Sequence, residues 1–177
     1  MKKFITTAAR QVVTNTDGCY EAVNNPELAY DVPNSYPVFS LLNAFLKEGD
    51  DAEVIVVCLD AVENGVTNEN YINIRNGAAQ IAEEKGASVT AAGFPVPNDE
   101  QIDTHLDIFE RIITRIQPGD QVYFDVTYGT KTQMLALVIA INYVYQAVPG
   151  ASVDCVVYGN YNFQTKEKKL YDISSLF

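Results

Sequence analysis

The chain has 177 residues, room for one domain with a proper core and too few for two ordinary ones. Acidic residues outnumber basic ones 23 to 12, and the formal charge of −11 argues against duplex nucleic acid or an anionic membrane as partner. It does not exclude a small anionic ligand held in one local pocket.

The opening MKKFITTAARQ carries two lysines without the apolar stretch of a secretory signal behind them. Residues 3–7 read as a short strand. Residues 11–36 are loop-like, rich in Asn, Asp and Pro, and long for a compact domain; such loops tend to be lids or binding loops. Pro37 fits the first position of a helix after Asn34 and Ser35. Val38, Leu41, Leu42, Phe45 and Leu46 follow at helical spacing, and Gly49 ends the run.

Residues 53–59 (EVIVVCL) form a continuous apolar strand, the kind covered by helices on both faces. Residues 68–85 read as a helix closed by Gly86, and residues 87–94 as a third strand. A helix starts over 98–101 and carries Ile102, Leu106, Phe109, Ile113 and Ile116 in one stripe. Residues 121–126 are a fourth strand, 130–147 a helix, 152–158 a fifth strand and 169–173 a short sixth. The apolar run 134–148 contains Asn142 and Gln146 and falls short of the roughly 20 residues of a membrane span. Cys19, Cys58 and Cys155 are odd in number and unpaired in spacing, and the last two sit in apolar runs as small hydrophobes. A reducing, cytoplasmic setting without a zinc site follows.

This alternation predicts an α/β, Rossmann-like single domain spanning 1–177, a mostly parallel sheet of about five to six strands with helices on both faces. In the common order 3-2-1-4-5 the first and fourth strands flank the point where strand order reverses, and ligands sit beyond their carboxyl ends. The loops after Thr7 and after Val126 are therefore expected to face one crevice.

The second of these loops carries the chemistry. In FDVTYGTKTQ (124–133), Gly129 allows a tight turn and close backbone approach to a ligand. Thr127 or Thr130 can cap the following helix, whose free N–H groups form an anion site. Lys131 opposes the helix dipole at a cost of about 0.3–1 kcal/mol, a penalty that a bound phosphate reverses. It is also the only basic residue between Arg115 and Lys166. The alternative is an ordinary surface lysine. The spacing of a P-loop is absent.

The first loop matches it. Thr6 and Thr7 offer hydroxyls, Ala8 and Ala9 permit close approach, and Arg10 is the only basic residue between Lys3 and Lys47. The bland reading of the threonines is that they tie up a strand end. Tyr128, inside the turn, is the one of eleven tyrosines placed to stack on a base. The helix beginning at Met134 is apolar on nearly every side and needs cover on two faces. One cover is the sheet, and the other is either a second subunit or this chain's own loops. His105 is given no role, and Asp60, Glu63, Asp99, Glu100 and Asp103 read as solvated faces.

The pattern D-[VIL]-T-x-G-[TF]-[KR] running into an apolar helix, here Asp125, Val126, Thr127, Gly129, Thr130 and Lys131, resembles the signature turn of CRISPR-associated Rossmann-fold (CARF) domains. The early FITTA and the late VVYGNYN before DISSLF are also similar, while the middle third matches only in alternation. The resemblance implies a homodimeric sensor of type III CRISPR signalling in antiviral defence that binds cyclic oligoadenylate across its two-fold axis. Thr6, Thr7, Ala8 and Arg10 would line the first loop, and Thr127, Tyr128, Gly129, Thr130, Lys131 and Thr132 would contact the ligand. Such domains are usually joined to an effector module, so the chain is either a stand-alone sensor or part of something longer. Some stand-alone members are ring nucleases. In that alternative Lys131 would stabilise the phosphorane with Thr7 orienting, and no metal or other cofactor is called for. A small nucleotide-handling α/β enzyme and a purely structural dimerisation domain are the rivals.

Overall fold

Strands covered by helices on both faces are buried along most of their length, and two neighbouring strands of the sheet are of this kind. These are β1 (Lys2–Ala8), buried from its second residue onward, and β3 (Asp51–Leu59). The structure, a computed structural model, describes residues 1–9, 13, 18–59, 69–97 and 99–177. The other described strands are β2 (Glu21–Ala22), β4 (Ser88–Val96), β5 (Gln121–Asp125), β6 (Ser152–Tyr161) and β7 (Lys168–Asp172).

All belong to one seven-stranded sheet in the order β2-β7-β6-β5-β1-β3-β4. β4, β3, β1, β5 and β6 are mutually parallel, which is the predicted 3-2-1-4-5 order. β7 runs antiparallel to β6. The chain steps outward from β1 through β3 to β4 and then returns to the other side of β1 as β5. Strand order thus reverses between β1 and β5.

Side-chain alternation along the central strands divides the core in two. Phe4, Val54, Val56 and Tyr123 face α1 (Val38–Phe45) and α2 (Glu69–Lys85), meeting Leu41, Leu42, Ile74 and Ile81. Ile5, Ile55, Val57 and Phe124 point the other way, to Ile108 and Ile112 of α3 (Ile102–Ile113) and Leu137 and Ile141 of α4 (Lys131–Ala147).

The sheet is wider than expected. β2 lies inside the segment expected to be loop, and pairs in parallel with β7 at the sheet's edge through Glu21–Lys169 and Ala22–Leu170. The described part of that segment is packed: Tyr20, Leu28, Ser35 and Tyr36 are buried. β4 runs on through Pro95, which an edge strand tolerates because one of its two backbone edges needs no partner. α1 begins at Val38 with Pro37 as its cap, one residue later than the proline pattern suggests, and ends before Leu46 rather than at Gly49. Cys19, Cys58 and Cys155 are free thiols. Among the described residues no helix is long and apolar enough to cross a membrane.

Candidate functional site: the crevice between β1 and β5

The carboxyl end of β5 is anchored by a buried acid. Asp125 is 1% exposed, and its carboxylate accepts from the Thr6 hydroxyl at 2.9 Å and from the Thr127 amide at 3.0 Å. Burial pushes this carboxyl above its usual range; donors from Thr127, Thr6 and the Val38 amide pull it back part of the way. The Thr6 bond crosses from β1, 119 residues away in sequence, and locks the two strand ends together.

From Asp125 the chain turns in five residues. The Thr127 hydroxyl accepts from the Gly159 amide of β6 at 2.8 Å, so this threonine ties the turn to the sheet. Gly129 has φ +125, a conformation L side chains rarely adopt. A Cβ there would lie 2.7 Å from Met134 Cε, 3.3 Å from Gln133 Oε1 and 3.6 Å from Thr7 Cγ2. The last distance places the turn directly against the end of β1.

Thr130 is the cap of α4. Its side chain accepts from the Gln133 amide at 3.3 Å while Gln133 Oε1 accepts from the Thr130 amide at 2.8 Å, a complete capping box. The cap leaves the Lys131 and Thr132 amides without intrahelical acceptors. No acidic residue sits in this first turn. Lys131 is exposed and has no ion-pair partner among the described residues. Its charge is therefore not neutralised by any described residue.

The floor carries an unusual group. Thr7 is 1% exposed, yet its Oγ1 has no hydrogen-bond partner among the described residues. A buried hydroxyl without a partner costs about 1–3 kcal/mol. Gln133 Nε2, in the first turn of α4, is a second such atom.

Tyr128 leaves the crevice floor. Its hydroxyl donates to the Ser35 carbonyl at 2.6 Å, and its ring packs partly buried against the α1 side of the core. Burial pushes its phenol up to about 12, with a hydrogen bond from Tyr20 acting the other way. The tyrosine thus ties the turn to the segment before α1.

Glu100, read as a solvated face in the sequence, and His105, given no role there, belong to the rim. Thr132 donates its hydroxyl to Glu100 Oε2, and Thr130 and Thr132 share a hydrogen bond at 2.9 Å. His105 Nδ1 contacts the Gln101 carbonyl at 2.6 Å, leaving Nε2 buried, without a hydrogen-bond partner, and 3.9 Å from Glu100 Oε2. Only an exposed carboxylate preceding an amphipathic helix was visible in the sequence, with nothing to indicate this contact 32 positions downstream.

Of the predicted residues, Thr6, Thr7, Ala8, Thr127, Tyr128, Gly129, Thr130, Lys131 and Thr132 all lie on the end of β1 or on the turn and first turn of α4. Arg10, Asp60 and Glu63 lie outside the described residues, as do residues 11, 12 and 14–17 of the expected lid at 11–36.

Among solved structures the chain is similar to Enterococcus italicus Csm6 bound to cyclic hexa-2′-fluoro-hexa-dAMP, with a TM-score of 0.52 and 13% identity. The likeness is one of fold, a Rossmann-like and mostly parallel sheet with helices on both faces. The similarity covers 90% of this chain and 33% of the Csm6 chain, so the protein spans about a third of that relative's length. No protein-family model and no curated protein sequence matches it.

Proposed function

We propose that this chain is a cytoplasmic sensor domain of type III CRISPR signalling that binds cyclic oligoadenylate across a homodimer and passes the signal to an effector module, fused or separate. The observation that carries the reading is the Thr7 hydroxyl, buried and unpartnered beneath Gly129, beside a capped helix N-terminus and an unpaired lysine. The stranded hydroxyl and the lysine each cost stability in the empty chain, and both costs are relieved once an anionic, hydroxyl-rich ligand lies at the capped helix end. The fold shared with a Csm6 bound to a cyclic hexanucleotide supports the ligand class.

The dimer reading rests on α4. Ala136, Leu137, Ala140, Ile141 and Val144 are buried, whereas Leu135 is 60% and Ile139 57% exposed. Among the described residues no loop of this chain wraps that face. Ile102 and Leu106 of α3 are exposed beside it, and together they line a groove of about 350 Å³. Covering what remains exposed of each such side chain is worth roughly 1–2 kcal/mol, and a second copy presents the same ridges to the same groove. Thr132 lies at the end of this groove, so a two-fold partner would bring two ligand turns close together.

Calorimetry with cyclic tetra- and hexa-adenylate against AMP, ATP and linear oligoadenylate tests the reading. One of the rings binds most tightly; a folded, dimeric sample that binds neither ring overturns it. A preference for AMP or ATP favours a nucleotide-handling enzyme instead.

A second reading, ring cleavage, is favoured by the uncommitted ammonium of Lys131 and hydroxyl of Thr7. A ribose 2′-oxygen forms the new bond to the adjacent phosphorus while the 5′-oxygen leaves with a proton, giving a 2′,3′-cyclic phosphate end and a 5′-hydroxyl. Linear products formed by the wild type and absent with Lys131→Ala support it.

A further inference from the structure

The rim of the crevice holds two hydrogen-bond acceptors that face each other. The Nδ1 of His105 is engaged by the Gln101 carbonyl, which fixes the proton on that nitrogen and leaves Nε2 as a bare acceptor. Nε2 is buried, has no hydrogen-bond partner among the described residues, and lies 3.9 Å from Glu100 Oε2. That same oxygen takes the Thr132 hydroxyl in the first turn of α4. The carboxylate therefore has two competing sites, Thr132 and, once a proton sits on Nε2, the imidazolium.

We propose that Glu100 switches between Thr132 and His105, with a proton on His105 as the selector, and so sets the negative charge standing at the ligand end of α4. The proposal rests on the reading of that helix end as a phosphate site. With His105 neutral, Glu100 supplies the anion that the helix N-terminus favours. An incoming phosphate then meets a carboxylate at its own site, and like charges a few ångströms apart oppose binding. With His105 protonated, Glu100 is drawn into an ion pair and the Thr132 hydroxyl and the helix end are released. Ligand binding and proton uptake are thereby linked, and each favours the other.

The surroundings leave this pair as the responsive one. On α3, Asp107 is paired with Arg111 at 2.8 Å, and Asp103 and Glu110 make no ion pair with the imidazole. Asp99 precedes Glu100 and accepts from the Gln101 amide. α4 packs on α3 and contributes Lys131 as its cation and Tyr143, whose ring meets Phe109. From the sheet, Phe94 lies under Arg111. Glu100 is the carboxylate within 4 Å of the imidazole among the described residues, and at 62% exposure it is free to swing.

His105 is the single histidine of the chain, so its ring ¹⁵N signals are unambiguous in NMR. In ligand-free protein at one fixed pH near 6.5, Glu100→Gln lowers the imidazolium fraction relative to wild type, and Thr132→Ala, which removes the competing hydroxyl, raises it. Equal fractions in all three proteins overturn the proposal whether or not any ring binds. Calorimetry with cyclic hexa-adenylate in buffers of different ionisation enthalpy then reads the coupling. Wild type takes up a fraction of a proton on binding and loses up to tenfold in affinity per pH unit as pH rises; Glu100→Gln and His105→Gln do neither. Binding with no proton uptake in wild type overturns the regulatory role. If neither ring binds, the functional reading and the regulatory role both fail, and the ligand-free comparison still decides whether the pair shares a proton.

Discussion

Asp125 sets the shape of the site, and replacing it separates hydrogen bonding from charge. In Asp125→Ala the Thr6 hydroxyl and the Thr127 amide both lose their acceptor in a buried position. At about 1–3 kcal/mol for each stranded group the loss is about 2–6 kcal/mol. For a chain of this length 1 kcal/mol moves Tm by about 2–4 °C, so Tm falls by at least about 4 °C and the upper end threatens folding. Asp125→Asn keeps an acceptor for the Thr127 amide and presents an NH₂ to the Thr6 hydroxyl, which can accept. Its cost is therefore within about 1 kcal/mol of zero, since it also removes a desolvated charge. The two variants differ in pH response as well. Burial raises the Asp125 carboxyl above its unfolded value, so over the window between the two values the folded state binds more protons. Its contribution to stability is most favourable below the unfolded value, about 3.8, and declines as pH rises through the folded one. Urea denaturation from pH 4 upward reads this as a downward slope for the wild type that is missing from Asp125→Asn. An alanine variant as stable as wild type, or an asparagine variant as damaged as alanine, refutes the account.

Gly129→Ala combines a disfavoured backbone conformation, about 1–3 kcal/mol, with a contact on Met134 Cε that the flexible side chain can relieve. It is expected to lower Tm by about 2–12 °C, and a value unchanged by differential scanning calorimetry counts against the turn geometry. Lys131→Ala removes a cation that opposes the α4 dipole, so stability rises by a few tenths to about 1 kcal/mol while ring binding falls at least tenfold. A variant that loses stability and keeps its affinity contradicts the anion-site reading. Ile139→Lys together with Leu135→Lys places charge on the exposed α4 face, and light scattering is expected to report monomers with the secondary structure intact by circular dichroism.

What the sequence made legible was local. Asp125 through Thr132 could be read as strand, turn and capped helix because each residue type acts on its immediate neighbours. It left Thr127 and Thr130 as rival caps, and the rival without the cap role turned out to bond β6, a partner no local pattern names. The strand order followed from alternation and handedness, whereas β2, two residues long with no periodicity, exists only through its pairing with β7. The Glu100–Thr132 contact was invisible for the same reason, since α3 and α4 first meet in the folded layer. Tyr128 was read from its position in the turn, but only the fold shows its hydroxyl committed to Ser35.

The Thr6–Asp125 bond also has a consequence in time. Its partners are 119 residues apart, so the crevice cannot exist until β5 has docked beside β1, after β3 and β4 have been synthesised. Contacts of such long sequence separation close late and slowly, because the loop entropy is lost before the bond is gained. The capping box of α4, spanning three residues, can form long before. In a refolding chain the helix end can thus precede the floor beneath it. A ligand that needs both parts recognises only completed molecules and, by mass action, stabilises them alone.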